Sequence, residues 1–170
     1  MQSASAKVRT AAVILLCGVI SSGLQAQSHD SAHHEHMAEM NRRGAEAMGF
    51  DQQNATHHFQ LSKNGGVIEV SANDPQDKPT LNQIRLHLEN QAKQFGNGDF
   101  GASEHTHGRV PPGVETMQRL KSDIHYSFQS TPEGGKITIE SEAPEALAAI
   151  HDFLKFQIED HETGDSTAVH

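Results

Sequence analysis

The sequence predicts an α+β fold. A duplicated ββα unit forms a four-stranded antiparallel sheet with two helices on one face, preceded by a His/Met-rich N-terminal arm. Three observations predict it. Apolar residues alternate along two pairs of short segments, as in half-buried strands, and each pair is joined by a Gly-containing turn. An apolar stripe at helical spacing follows each pair. Gly66 to Pro75 also aligns with Gly135 to Pro144 without a gap, so the second unit repeats the first.

Residues 1–26 have the three parts of a secretory signal. Lys7 and Arg9 supply the positive region. The apolar run 11–20 is too short to span a bilayer. Ser21-Ser22-Gly23-Leu24-Gln25-Ala26 permits cleavage after Ala26. The one cysteine, Cys17, lies in the apolar run, and Leu16 before it is not the small residue that a lipoprotein signal needs. The product is expected to be periplasmic or secreted, without thiol, disulfide, lipid anchor or membrane attachment after cleavage.

Residues 27–53 form the expected arm. Its first ten are polar and His-rich and are expected to be disordered without metal. Met37, Met40, Gly44 and Met48 recur at helical spacing and predict a short helix over 37–48.

The domain is expected over 54–164. Phe59 and Leu61 define the first strand, and Asn64-Gly65 predicts a hairpin turn because both residues tolerate positive φ. Ile68 and Val70 return. Thr80 with Gln83 reads as a capping box for a helix striped by Leu81, Ile84, Leu88, Ala92 and Phe95 and stopped by Gly96. A long Gly-rich connector spans 96–113, and a short helix spans 114–120. Tyr126 and Phe128, the Pro132 to Gly135 turn, and Ile137 and Ile139 repeat the hairpin. Pro144 opens a helix striped by Leu147, Ile150, Leu154 and Ile158, ended by Gly164. Residues 165–170 are expected to be a disordered tail.

Alternation sends Phe59, Leu61, Ile68, Val70, Tyr126, Phe128, Ile137 and Ile139 toward the helices. His58, Gln60, Glu69, Ser71, His125, Ser127, Gln129, Thr138 and Glu140 face the open side. His58 and His125 read as equivalent positions of the two units.

Formal net charge is −9. Loss of Lys7 and Arg9 makes the exported part more acidic still. Nucleic-acid binding needs a basic surface and is excluded on that ground. Adhesion to anionic lipid is disfavoured likewise, whereas metal cations are attracted.

All 13 histidines lie after residue 26. His29, His33, His34 and His36 cluster ahead of Met37 and Met40, and imidazole with thioether suits copper. Cleavage after Ala26 would make His29 the third residue, able to bind Cu(II) or Ni(II) in a square plane with the free amine. His29, His33 and Glu35 offer a looser zinc site. In the body, His57 or His58 with His107 from the connector forms a lesser candidate, and His105 lies nearby. His58, His125, Glu69 and Glu140 could form a patch on the open face. His87, His151 and His161 are expected on helices, facing solvent or capping, where a positive histidine near a C-terminus complements the dipole. No nucleophile elbow, phosphate-cradling loop or His-Glu-x-x-His signature occurs.

Met40-Asn41-Arg42-Arg43-Gly44, Met48-Gly49-Phe50, Thr56-His57-His58-Phe59, Ala72-Asn73-Asp74, Pro111-Pro112-Gly113-Val114 and the run from Pro144 to Asp165 form a recognisable set. Together they resemble a family of small bacterial proteins, over about residues 40 to 165. Some members carry the label aspartate carbamoyltransferase. This chain is much shorter than that enzyme's catalytic subunit and lacks its Ser-x-Arg-Thr phosphate loop, so the activity is not expected here. The resemblance implies no mechanism, and the cluster at 29–36 lies outside it.

The leading expectation is therefore an exported metal-binding protein, with copper ahead of nickel or zinc, for buffering or transfer. One alternative is a module that binds a protein partner, or a second copy, through the open sheet face. Another is an enzyme with its site under the 96–113 loop.

Overall fold

A computed structural model describes residues 23–170, with side chains from residue 31 onward. The positive region and apolar run of the expected leader, with Lys7, Arg9 and Cys17, lie outside the described residues, as does the side chain of His29.

Helix α1 (Gly23–Met48) is much longer than the helix expected over 37–48 and takes in the histidine cluster. No proline and no interior glycine interrupts the chain between Gly23 and Gly44. Arg42 pairs with Glu39 and Glu46, and Arg43 with Glu39, one turn apart on the exposed face. Gly49, at φ +78°, ends the helix in the left-handed region, and its N–H donates to the Ala45 carbonyl. The inner face buries Met40 and Gly44. A Cβ at Gly44 would lie 1.4 Å from the Gln52 side-chain nitrogen, so a larger residue there would displace the Gln52 side chain.

Strands β1 (Ala55–Ser62) and β2 (Gly65–Ala72) form the first hairpin. Ser62 pairs with Gly65, which puts Lys63-Asn64 in the turn rather than the expected Asn64-Gly65. Gly65 is needed for another reason. A Cβ there would meet the Ile139 carbonyl of the neighbouring hairpin at 1.9 Å.

Helix α2 (Lys78–Gly96) buries Leu81, Ile84, Leu88, Ala92 and Phe95 as the stripe predicts. Its cap is Asp77, not Thr80. The Asp77 carboxylate accepts from the Thr80 N–H at 3.1 Å and from its hydroxyl at 2.6 Å. The expected loop then contains a helix, α3 (Gly101–His107), closed by Gly108 at φ +66°. Arg43 of α1 donates to the Thr106 carbonyl and holds α3 against the arm. Helix α4 (Val114–Arg119) leads to β3 (Ile124–Ser130), β4 (Gly134–Ser141) and α5 (Pro144–Asp160).

The sheet order is β1-β2-β4-β3, antiparallel throughout. At its centre Ile68 of β2 pairs with Ile137 of β4, and these occupy the same position in the two repeats. A pseudo-twofold axis passes through that pair. Both helices lie on one face, but each covers the other repeat's hairpin. Helix α2 packs mainly on β3 and β4, and α5 mainly on β1 and β2. Neither ββα unit buries its own hairpin alone, so one core serves both.

This symmetry corrects one sequence expectation. The gap-free match runs through both hairpins, with Lys63-Asn64 and Pro132-Glu133 as the equivalent turns. His57 therefore matches Tyr126, His58 matches Ser127, and Thr56 matches His125. Alternation fixes which face a residue takes, and His58 and His125 do share the open face. It does not distinguish a register from one two residues away.

The segment 165–170, expected as a disordered tail, lies along the outer edge of β1. His170 exchanges backbone hydrogen bonds with Leu61 and Lys63, and Asp165 accepts from the Phe59 N–H at 2.9 Å. The segment covers an edge that would otherwise present unpaired backbone groups.

Candidate functional site

The sequence-predicted residues divide into three groups. On α1, His33 pairs with Glu162, and His36 Nε2 lies 3.5 Å from Asp160 Oδ1. These contacts dock the arm on the end of α5. His34 is exposed, with its ring edge-on to His33. Met37 and Met40 turn inward. On the open sheet face, His58 bonds Asp165 and His125 lies opposite Glu140. These two histidines sit on the outermost strands, β1 and β3, roughly 14 Å apart at normal strand spacing, and cannot share an ion. The third group, His57 and His107, is drawn into the interior. Among the described residues, no three His, Cys, Asp or Glu side chains gather as a metal site.

His107 ends α3 and is 5% exposed. Its Nδ1 lies 2.6 Å from Asp160 Oδ2 and its Nε2 lies 3.0 Å from Gln157 Oε1. Burial lowers its pKa against the opposing pull of Asp160. Burial pushes Asp160 upward, but the His107 hydrogen bond and the charges of His107, His36 and Arg109 outweigh it and hold the carboxyl below its usual range. Arg109 bonds the second Asp160 oxygen at 3.0 Å and stacks over Phe156 at 4.7 Å. Both nitrogens of His107 are engaged. The residue clamps α3 to α5.

His57 and His161 behave differently. Their rings stack at 5.4 Å and 9°, and His107 meets His161 edge-on at 5.0 Å. His87, on α2, lies edge-on to Phe50 at 6.0 Å. None of His57, His87 and His161 has a hydrogen-bond partner among the described residues. Burial, reinforced by His87 and His58, brings His57 down to about 4. Burial alone brings His87 to about 4, and burial with His57 and His107 takes His161 well below its ordinary value. All three are neutral at pH 7, with their nitrogens unspent.

The stacked pair stands between two cavities. An inner one of about 70 Å³ lies beneath α3, between the sheet and the helices, and includes His57, His87, Gln91, His107, Gln157 and His161 in its wall. An outer one of about 240 Å³ lies under α1 and is lined by Met37, Met40, Asn41, Gln52, Gln53, Ala55, Thr56, His57, His161 and Thr163. The fold thus brings the two arm methionines to the same space as two half-buried histidines.

The pseudo-symmetry shows what the pair replaces. Aligning the helix stripes matches Leu81 with Leu147, Ile84 with Ile150, Leu88 with Leu154, Ala92 with Ile158 and Phe95 with His161. In the other half, Phe95 packs on Tyr126 at 5.8 Å. The aromatic pair Phe95–Tyr126 of one half is His161–His57 in the other. His161 and His87 were expected to face solvent or cap a helix. Continuing the stripe one further turn, onto the position of Phe95, is the signal that would have placed His161 inside.

Comparison with models of known protein families, with curated proteins and with solved structures finds no match.

Proposed function

We propose that the protein is an exported metal-binding protein, periplasmic or secreted, whose best-fitting ion is copper. One observation carries the reading. Met37, Met40, His57 and His161 line a single cavity of about 240 Å³. Two thioethers and two imidazoles are a soft donor set suited to copper, with no thiolate or carboxylate to favour zinc. Neutral imidazoles with unspent nitrogens bind a cation without first losing a proton. The net charge of −9 favours the approach of cations. His33 and His36, beside Glu162 and Asp160, would with His29 and His34 form the outer capture surface, where nickel or zinc would bind more weakly.

The test is Cu(I) affinity of the purified protein by competition with a chromogenic chelator. The reading expects binding tighter than micromolar, weakened at least about tenfold by Met37→Leu with Met40→Leu, or about 1.4 kcal/mol. Affinity no tighter than micromolar, or unchanged in the double variant, would sink it.

The inner cavity favours a second reading, an enzyme with its site under the connector helix, because it converges on His57 and His107.

A further inference from the structure

The two outer edges of the sheet differ. Along β1, the segment 165–170 takes the outward backbone groups: Asp165 accepts from the Phe59 N–H, and His170 exchanges hydrogen bonds with Leu61 and Lys63. At the other edge, Phe128 and Ser130 of β3 match Phe59 and Leu61. The Thr131 N–H donates inward to the Gly134 carbonyl, across the hairpin. Alternation then turns the backbone groups of His125, Ser127 and Gln129 to β4, and those of Tyr126, Phe128 and Ser130 outward. Among the described residues these outward groups have no hydrogen-bond partner. Exposure follows the difference: Phe59, at the covered edge, is 3% exposed, whereas Phe128 is only half-buried.

Sheets protect an open edge with charge, proline, a bulge or a covering segment. Strand β3 has no Asp, Glu, Lys, Arg or Pro between Ile124 and Ser130, and it pairs with β4 without a bulge. The helix above it is also unobstructed. A Cβ at Gly135 would meet both the Phe128 ring and Leu88, and one at Gly96 would lie 3.9 Å from the Tyr126 ring. The face of α2 between Leu88 and Gly96, with Glu89, Ala92 and Lys93, therefore runs along this edge. Ala92 and Gly96 are small, and Glu89 and Lys93 pair with each other at 2.8 Å, so the face presents no net charge to a copy of itself. Helix α2 packs over both β3 and β4. At normal strand spacing, a sheet continued past β3 by a twofold would set α2 about 10 Å from its copy, the distance of packed helices.

We infer that β3 pairs with β3 of a second copy of this chain, antiparallel about a twofold axis at Phe128, so that two sheets become one. The outward groups set the register. With Phe128 opposite the partner's Phe128 and Tyr126 opposite the partner's Ser130, each of them gains a backbone partner. On the open face Ser127 then lies opposite the partner's Gln129, and no charged side chain of β3 meets its own copy. Such an interface is self-complementary and closed, so it stops at the dimer. The net charge of −9 works against self-association, which makes the dimer one of modest affinity that salt tightens. The proposed metal ligands take no part. The test is run on chelator-treated protein, so that this inference and the metal reading fail independently.

Sedimentation over a concentration series should give a monomer–dimer equilibrium with Kd about 10 μM. Hydrogen exchange on the unaltered protein should show the Tyr126, Phe128 and Ser130 amides gaining protection as the dimer forms. Ser127 and Gln129 are exposed, so charge can be placed there without disturbing the core. S127K with Q129K sets like charges opposite one another across the axis and should weaken association at least about tenfold, with native circular dichroism. S127E with Q129E should do the same, and mixing the two variants should restore the dimer. The inference is overturned by a protein still monomeric at about 1 mM, by a dimer in which those three amides exchange as fast as in the monomer, by a dimer that the lysine pair leaves unweakened, or by folded variants that do not associate when mixed.

Discussion

The two halves of the molecule solve the same packing problem with different chemistry. Where α2 crosses the second hairpin, Phe95 meets Tyr126 in an aromatic contact that also includes Phe100 and Phe153, and Phe95 and Phe153 reach the wall of the inner cavity. Where α5 crosses the first hairpin, His161 meets His57, and cavities lie on both sides. The fold accommodates a pair without imidazole at this position, as Phe95 and Tyr126 demonstrate, although the Tyr126 hydroxyl is also buried without a partner. Packing does not require the imidazoles, and burying them unpartnered carries a cost. What they add is imidazole lone pairs, held neutral, in the wall of the cavity that Met37 and Met40 also line, and on this the proposed metal site rests.

The largest expected effect is on acid stability. His57 and His87 are held at about 4, against an ordinary histidine value of 6.5. Between these values the unfolded chain takes up protons that the folded chain does not, so stability falls as pH falls from about 6.5 to 4. One histidine depressed this far is worth about 3 kcal/mol at the bottom of the window. Chemical denaturation from pH 7.5 to 4.5 should show a loss of several kcal/mol. His57→Tyr with His161→Phe, which copies the aromatic half, should flatten the curve and leave the contributions of His87 and His107. An equally steep curve in that variant would break the comparison.

The clamp at His107 comes next, because only the histidine half has one. His107→Ala removes the donor to a carboxylate whose side chain is 7% exposed and should cost about 2–3 kcal/mol. It should also free α3 from α5, which hydrogen exchange at residues 101–107 would register. Smaller is the cap of α2, supplied by Asp77, while α5 has no side-chain cap at Ala143. Asp77→Ala should lower stability by about 1 kcal/mol in a urea melt. Smallest is the exposed Lys93–Glu89 pair of α2. Lys93→Ala should cost no more than about 0.5 kcal/mol, a difference that vanishes in high salt.

Much of the scaffold was legible in the sequence because it rests on periodicity. Alternation placed Phe59, Leu61, Ile68, Val70, Ile137 and Ile139 under the helices, and the stripes gave α2 and α5. The Gly66–Pro75 match gave the duplication. Features set by tertiary contact were not legible. The length of α1 depends on docking through His33, His36 and Arg43, since its polar first half has little apolar surface to declare it. The exchange of helices between hairpins leaves no mark on either stripe, because both faces are apolar regardless of partner. His161 escaped notice for a related reason. Its type suggested a surface position, whereas its place in the stripe was that of Phe95. The arm methionines were singled out, but their meeting with His57 and His161 needs the packing of α1 over β1, which no local pattern specifies.

The central claim is that the His57–His161 pair is a ligand set built into an aromatic position. The most direct measurement is the Cu(I) affinity of His57→Tyr with His161→Phe beside the unaltered protein, under one competing chelator at pH 7. The account predicts a variant that is as well folded by circular dichroism and binds Cu(I) at least about a hundredfold more weakly, or about 2.7 kcal/mol. A folded variant with undiminished affinity would contradict it.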